Sequence, residues 1–374
     1  MLRVVQINPF LDTLGRPPEQ LLQEWSTLVH CGRSAAEAGA QVSVVQCSNR
    51  RDHLTQDGVD YHFLPLDAGD GRHPSAPLAE LLARLHPDVL HLQGLDFARE
   101  IHWLAALAPA VPLLLQDHAA RPPGRPWTWW RWRRALARAR GLMFSAREQA
   151  QPFVRRGLVA ARTRIYEVPE SSCDFRPRDR DDARRITGLA GAPCLLWVGH
   201  LNANKDPLAV LDGIALAVPR LPGLQLWMCF GKAPLYNAVR ERLRDPLLAG
   251  RVHLLGTQPH AAIEQLMSAA DFLVQGSHRE GSGYSVIEAL ACGLSPIVTD
   301  IPSFRGLLGT LPGEQAARLW PVGDAARLAD ALIELANEPW LQRRQRVRAR
   351  FDAHCSPAAL GRSLVSAYSD ALTA

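Results

Sequence analysis

Two glutamates with seven residues between them, Glu280 and Glu288, bracket a glycine-bearing loop in the stretch DFLVQGSHREGSGYSVIEALACGLSPIVTD, residues 271–300. An ionised carboxylate accepts two hydrogen bonds and fits a vicinal diol, so a ribose and a hexose both suit such a pair. Gly281 and Gly283 let the chain turn sharply before the helical pattern YSVIEALAC. A helix N-terminus, with its amides and positive dipole end, suits a phosphate. Glu288 falls about one turn inside that helix, roughly 6 Å along the axis at ~1.5 Å per residue. A diphosphate on the helix start would then have one carboxylate on each side, as a nucleotide-sugar clamp does. A second reading of the same residues stays open. Ser285-Val-Ile-Glu288 fits the S-x-x-E capping box, and Glu280 beside Arg279 would then be a solvated loop carboxylate.

Lys205 is the next candidate. In LLWVGHLNANKD it closes the loop that follows a strand pattern and precedes a helical one. Only Lys205 and Lys232 among the 42 basic residues are lysines, the rest being arginine. Lysine offers a compact charge on a flexible stem. At a strand end it can neutralise a phosphate whose charge grows as a leaving group departs. The plain alternative is a solvated lysine beside Asp206. His118 ends the strand pattern LLLQDH and His91 sits in DVLHLQG. Strand-end histidines either bond structurally or serve a site.

The elements that must hold these residues are legible in outline. The chain has 374 residues, 47% apolar and 21% charged, which suits two domains of ~150–200 residues. Strand patterns are expected at Arg3–Asn8, Val42–Cys47, Asp88–Leu92, Pro112–Leu115, Leu142–Ser145 and Ile165–Val168. A second set covers Cys194–Val198, Leu224–Phe230, Val252–Leu255, Phe272–Gln275, Ser295–Val298 and Leu319–Pro321. Helical patterns such as Glu19–Ala38, Pro207–Val218, Ala261–Ala270 and Ala325–Asn337 lie between them. Nearly continuous apolar strands alternating with helices predict parallel sheets covered on both faces. The polar run Pro169–Asp182 marks the boundary between two doubly wound α/β domains, 1–175 and 176–356. A final helix over 357–374 is expected to return to the first domain. In such folds ligands sit beyond the carboxyl ends of the strands.

The donor-type segment resembles the core of family-4 retaining glycosyltransferases of the GT-B fold, whose pattern is E-x7-E within EGFGLxxLEAMACGxPV. Here the match reads Glu280-Gly281-Ser282-Gly283, then Glu288-Ala289-Leu290-Ala291-Cys292-Gly293 and Pro296. The upstream VHLLGTQPHAAIEQLMSAADFLV is similar to the family's V-x-F-x-G…L-x-x-x-Y-x-x-A-D. LLWVGHLNANKD resembles VGRLxxxKG, with Lys205 at the lysine, His200 at the arginine and Asp206 at the glycine. LLLQDH is similar to T-x-H-D, and Gly15 stands in the loop where the family has a Gly-Gly pair.

The resemblance implies two Rossmann-like domains facing across a cleft, N-terminal for the acceptor and C-terminal for a nucleotide-sugar donor. It also implies a retaining, metal-independent transfer with no cofactor. His118, Glu280 and Lys205 would be the catalytic set. Gly15, His200, Lys205, Glu280, Gly281, Ser282, Gly283, Tyr284 and Glu288 would bind the donor. Base recognition would fall near Gly256–Leu266 and Lys232–Tyr236. A sugar, a lipid-linked sugar and a small molecule all remain open as acceptors. A non-catalytic nucleotide-sugar-binding subunit is the alternative, because His200 replaces an arginine and the Gly-Gly loop is reduced.

Residues 125–140, RPWTWWRWRRALARAR, hold four tryptophans and six arginines. Arg131, Arg134 and Arg138 share one helical face with Trp127 and Trp130 close by. The tryptophans either pack on the N-terminal sheet or rest at a lipid headgroup level, with arginine on anionic lipid. Nucleic acid is not expected, since no matching basic pattern recurs and net charge is only +5. Seven cysteines without a CxxC pair fit a reducing compartment. The longest run free of charge and strong polarity, Trp103–Leu115, is short of the ~20 residues of a membrane span. MLRVVQINPF reads as a strand rather than a signal peptide. The expectation is a cytoplasmic protein, with peripheral contact at the inner membrane face as the lipid reading of 125–140.

Overall fold

Apolar runs form two sheets, as seen in a computed structural model that describes residues 1–309 and 317–373. The chain divides into one unit of Met1–Ser172 with the stretch from Pro357 onward, and a second of Cys173–Ser356.

The first unit carries β1 (Arg3–Asn8), β2 (Gln41–Cys47), β3 (Asp52–Gln56), β4 (Val59–Leu64), β5 (Val89–Gln93), β6 (Leu113–Gln116), β7 (Gly141–Phe144) and β8 (Arg164–Glu167). Their order is β3-β4-β2-β1-β5-β6-β7-β8. All neighbours run parallel except β3 against β4. This antiparallel hairpin was not expected from the apolar pattern, because β3 is DHLTQ and mostly exposed. The signal was its turn: Asp57 and Gly58 both take positive φ, at 52° and 74°, as a two-residue hairpin loop requires. The single helix expected over Glu19–Ala38 is two, Pro18–Glu24 and Ser26–Glu37, broken at Trp25 with ψ 59°.

Helix Pro357–Thr373 packs on helix Ser26–Glu37, burying Leu360, Leu364 and Tyr368. Gly361 makes the close approach, since a Cβ there would lie 2.1 Å from the Ser34 carbonyl oxygen. Alanine would gain ~1 kcal/mol of helix propensity. Overlap with main chain cannot be relieved by a rotamer change, and overpacking of this kind costs about 1–3 kcal/mol or more. Gly361→Ala should therefore lower the thermal midpoint, and an unchanged or raised midpoint would contradict this packing.

The second unit carries β9 (Cys194–Gly199), β10 (Gln225–Phe230), β11 (Val252–Gly256), β12 (Phe272–Gln275), β13 (Ser295–Thr299) and β14 (Arg318–Trp320). They form a wholly parallel sheet in the order β11-β10-β9-β12-β13-β14. Alternate side chains of β9 enter opposite cores, Leu195 and Trp197 on one face and Cys194 and Leu196 on the other. Strand order reverses between β9 and β12, so the loops leaving these two strands diverge and open a crevice. In the first sheet the reversal lies between β1 and β5. None of the seven cysteines is disulfide-linked. Among the described residues, no helix is long and apolar enough to cross a membrane.

Candidate functional site

The loops after β9 and β12 are tied to each other. His278 donates its backbone N–H to the Asn204 carbonyl at 2.7 Å, and Asn204 Nδ2 donates to the Arg279 carbonyl at 2.9 Å. His278 Nε2 lies 2.8 Å from Asp206 Oδ2. Asp206 caps helix Pro207–Ala217 by accepting from the Ala209 amide, and holds φ 41°. A Cβ on Gly276 would meet the Asp206 carbonyl oxygen at 2.8 Å, so only glycine lets the loops approach this closely.

The lacing brings two predicted residues together. Lys205 Nζ donates to Glu280 Oε1 at 2.5 Å, with side chains 18% and 13% exposed. A lysine so placed is more than a solvated surface group. The alternative of a solvated Glu280 likewise gives way to a mostly buried ion pair.

Helix Tyr284–Cys292 begins at Gly283, whose φ is 76° and whose absent Cβ would strike Phe304 at 2.4 Å. The N-cap is Gly283, which has no side chain to cap with, and Ser285 does not hold the N-cap position. The capping-box reading of Ser285 and Glu288 therefore fails. Ser285 is already inside the helix, bonded 2.5 Å from Gln275 Nε2. Glu288 is 4% exposed and accepts from His260 Nε2 at 2.6 Å. This bond, with the Glu288 charge, raises the His260 pKa against the effect of burial. The His260 ring packs near Phe175, 4.7 Å away, and near Tyr284, 6.3 Å away. His260 was not singled out from the sequence, although it stands within the stretch expected to face a base.

His200 follows β9, and its Nδ1 accepts from the Lys232 amide at 3.2 Å. Burial, then Lys205 and Lys232, lower its pKa. It is a neutral hydrogen-bonding group at pH 7, not a second cation beside Lys205.

In the first unit Gly15 lies in the loop after β1 with φ 63° and open space around it. Buried Asp12 organises this loop. Its carboxylate accepts from the Leu14 and Arg16 amides and pairs with the Arg16 guanidinium at 2.7 Å. His118 follows β6. Its Nε2 donates to Gln93 Oε1 at 2.7 Å, and Gln93 Nε2 lies 3.3 Å from His91 Nε2. His91 Nδ1 is 2.8 Å from the Tyr368 hydroxyl, which also accepts from Gln6 Nε2 at 3.1 Å. The chain of bonds gives each imidazole one protonated nitrogen. His91 is fully buried behind Gln93, so only His118 of the pair faces outward.

Burial lowers the His118 pKa to about 4 and the His91 pKa to about 3. Both are neutral in the folded protein at pH 7, whereas an unfolded histidine titrates near ~6.5. Below that pH the unfolded chain takes up protons that the folded one does not, so stability falls with acidification. Between pH 6 and 5 each imidazole should remove roughly 1 kcal/mol. Urea unfolding at the two pH values should show about 2 kcal/mol of lost stability; equal stabilities would contradict two imidazoles that stay neutral in the folded protein.

The tryptophan-rich segment divides by face. Trp129 and Trp132 pack against the first unit's core, while Trp127 and Trp130 are 68% and 62% exposed. Among the described residues, no group of three or more His, Cys, Asp or Glu could hold a metal ion.

Residues 179–351 match the family model described as Glycosyl transferases group 1. A 2-deoxystreptamine N-acetyl-D-glucosaminyltransferase of Streptomyces fradiae is 32% identical over 53% of this chain and 48% of its own. A GDP-mannose:cellobiosyl-diphosphopolyprenol alpha-mannosyltransferase of Xanthomonas campestris is 26% identical over 63% of this chain and 62% of its own. The chain thus spans about half to three fifths of these relatives' length. Among solved structures, Anabaena HepE in complex with UDP superposes with TM-score 0.71 at 16% identity, covering 99% of this chain and 100% of that one. Sucrose-phosphate synthase from Thermosynechococcus elongatus gives 0.69 at 20% identity, with full coverage of both. The fold is GT-B.

Proposed function

We propose that the chain is a retaining glycosyltransferase of family 4, moving a hexosyl-type sugar from a nucleoside-diphosphate donor to an acceptor hydroxyl without metal or cofactor. The Lys205–Glu280 pair carries this reading. It sits at the reversal point of the second sheet, with Lys205 on the loop before helix Pro207–Ala217 and Glu280 on the loop before the glycine-started helix that bears buried Glu288. Lys205 and the Gly281, Ser282, Gly283 and Tyr284 backbone stabilise the departing diphosphate. Glu280 holds donor-sugar hydroxyls, and Glu288, oriented by His260, holds the ribose diol. In the first unit, His118 is assigned as a neutral hydrogen-bonding group for the donor sugar and Gly15 as a donor-contact residue. His200 contributes a hydrogen bond, which leaves Lys205 as the main cation.

In this reading the acceptor hydroxyl attacks the face that the diphosphate vacates. A phosphate oxygen takes its proton, so no carboxylate acts as a covalent nucleophile. The relatives, one named for 2-deoxystreptamine and one for a diphosphopolyprenol-linked cellobiose, support a sugar, lipid-linked or small-molecule acceptor. The unlinked cysteines suit the cytoplasm. A nucleotide-sugar-binding accessory subunit is the second reading, favoured by neutral His200.

Incubation with UDP-, GDP-, ADP- and dTDP-sugars and a panel of acceptors, in the presence of EDTA, tests the assignment. Proton NMR should show a product anomer matching that of the donor. Inverted product would overturn retention, and loss of turnover in EDTA would overturn metal independence. Donor binding without turnover across the panel would favour the accessory subunit.

A further inference from the structure

Outside the residues assigned so far, the first unit holds two cavities with shared walls beyond the carboxyl ends of its strands. One, of about 410 Å³, is bordered by Asp67, Asp96 and Glu100, with Phe97 and Trp103 as apolar walls. The other, of about 250 Å³, is lined by Arg99, His102, Trp130, Arg131 and Arg134. Ala98, Arg99 and Arg131 border both.

The sequence explains the second cavity. Helix Trp129–Leu136 turns Trp129, Trp132, Ala135 and Leu136 toward the core. Arg131 and Arg134, three residues apart, are left on one outer face with Trp130. Among the described residues neither arginine forms an ion pair, whereas Arg99 is anchored by the Gly71 carbonyl, by Glu100 at 3.6 Å and over the Trp103 ring. His102 lines the same cavity. After burial, Arg138 and Arg134 are what lower the His102 pKa. Guanidinium groups with fork geometry around a concave site suit phosphate oxygens. Carboxylates beside aromatic walls suit sugar hydroxyls and ring faces.

We infer that Arg99, Arg131 and Arg134 bind the phosphate or diphosphate of a phosphorylated sugar whose hydroxyls face Asp67, Asp96 and Glu100. On the transferase reading, that compound is the acceptor. A bare anionic bilayer fits less well, because the same rim would bring three carboxylates against its headgroups.

Calorimetry on the full chain tests this in a Lys205→Ala background, which disables the proposed donor-phosphate contact. Pyrophosphate and glucose 1-phosphate are the probes, and Arg131→Glu/Arg134→Glu is added to the same background. Both arginines are exposed, so the variant should keep its thermal midpoint. The expected result is pyrophosphate binding that weakens at least tenfold on charge reversal, with glucose 1-phosphate following it. Unchanged pyrophosphate affinity on charge reversal, or no binding before it, overturns the proposal. Phosphatidylglycerol vesicles form the second arm. Vesicle binding lost on charge reversal, with no pyrophosphate binding, overturns the sugar-phosphate site and assigns this face to a membrane. Titration of the unmodified chain with nucleoside diphosphates runs alongside. Failure there with success in the arginine experiment would sink the donor reading and leave this site standing.

Discussion

Glu288→Ala is expected to lower affinity for the cognate nucleoside diphosphate about a hundredfold or more, with no sugar needed to see the loss. A carboxylate holding a ribose diol makes two hydrogen bonds to a charged group, each worth ~1.5–3 kcal/mol. Losing about 3 kcal/mol corresponds to two decades. The fold should tolerate the change. Glu288 is buried, but its partner His260 is 56% exposed, so water can replace the carboxylate. An independent readout accompanies the binding loss: the His260 pKa, now raised by Glu288, should fall in the variant. A proton NMR titration of that imidazole would show it. Unchanged nucleotide affinity alongside a lowered His260 pKa would mean that Glu288 serves only to hold the histidine.

Lys205→Ala should cost 10²–10³ in kcat, the size of effect seen when one preorganised transition-state donor is removed. The reason lies in its pairing. With Glu280 at 2.5 Å the lysine is held in place before any donor arrives. Little reorganisation is then required as charge develops on the leaving diphosphate. Glu280→Ala separates the roles further. It should spare free nucleoside diphosphate binding and impair transfer, because Glu280 is assigned to the sugar. Steady-state kinetics with nucleotide binding measured in parallel check both variants. A Lys205→Ala enzyme with unchanged kcat would remove the electrostatic role, and equal binding losses in Glu280→Ala and Glu288→Ala would remove the division between them.

Much of the candidate site was legible because its residues sit at parallel-strand ends. β9, β12 and β13 are short, apolar and bounded by turn residues, so their positions and the loops carrying Lys205 and Glu280 could be read directly. What periodicity does not carry is side-chain partnership across distant segments. Glu288 and Ser285 fit a capping box by spacing, yet Gly283 starts the helix and Glu288 turns to His260, 28 residues upstream. The long-range chain from His118 through Gln93 and His91 to Tyr368 was equally invisible, since it depends on the last helix packing on the first sheet's unit. β3 was missed for the opposite reason. An exposed polar edge strand has no apolar pattern, and only its Asp57-Gly58 turn announces it. Spacing places Trp127 and Trp130 near the arginine face, and these are the two exposed rings, while Trp129 and Trp132 anchor the helix to the core.

The second unit's Glu280–Glu288 loop and helix are proposed to form a nucleoside-diphosphate clamp. Thermal-shift titration with UDP, GDP, ADP and dTDP, with Glu288→Ala beside the unmodified chain, tests it most directly. Ligand at ~100 times its dissociation constant should add about 2.7 kcal/mol of stability. A clear upward shift with one nucleoside diphosphate, lost in the variant, is the expected result. No shift with any of the four, or a shift that survives Glu288→Ala undiminished, would contradict it.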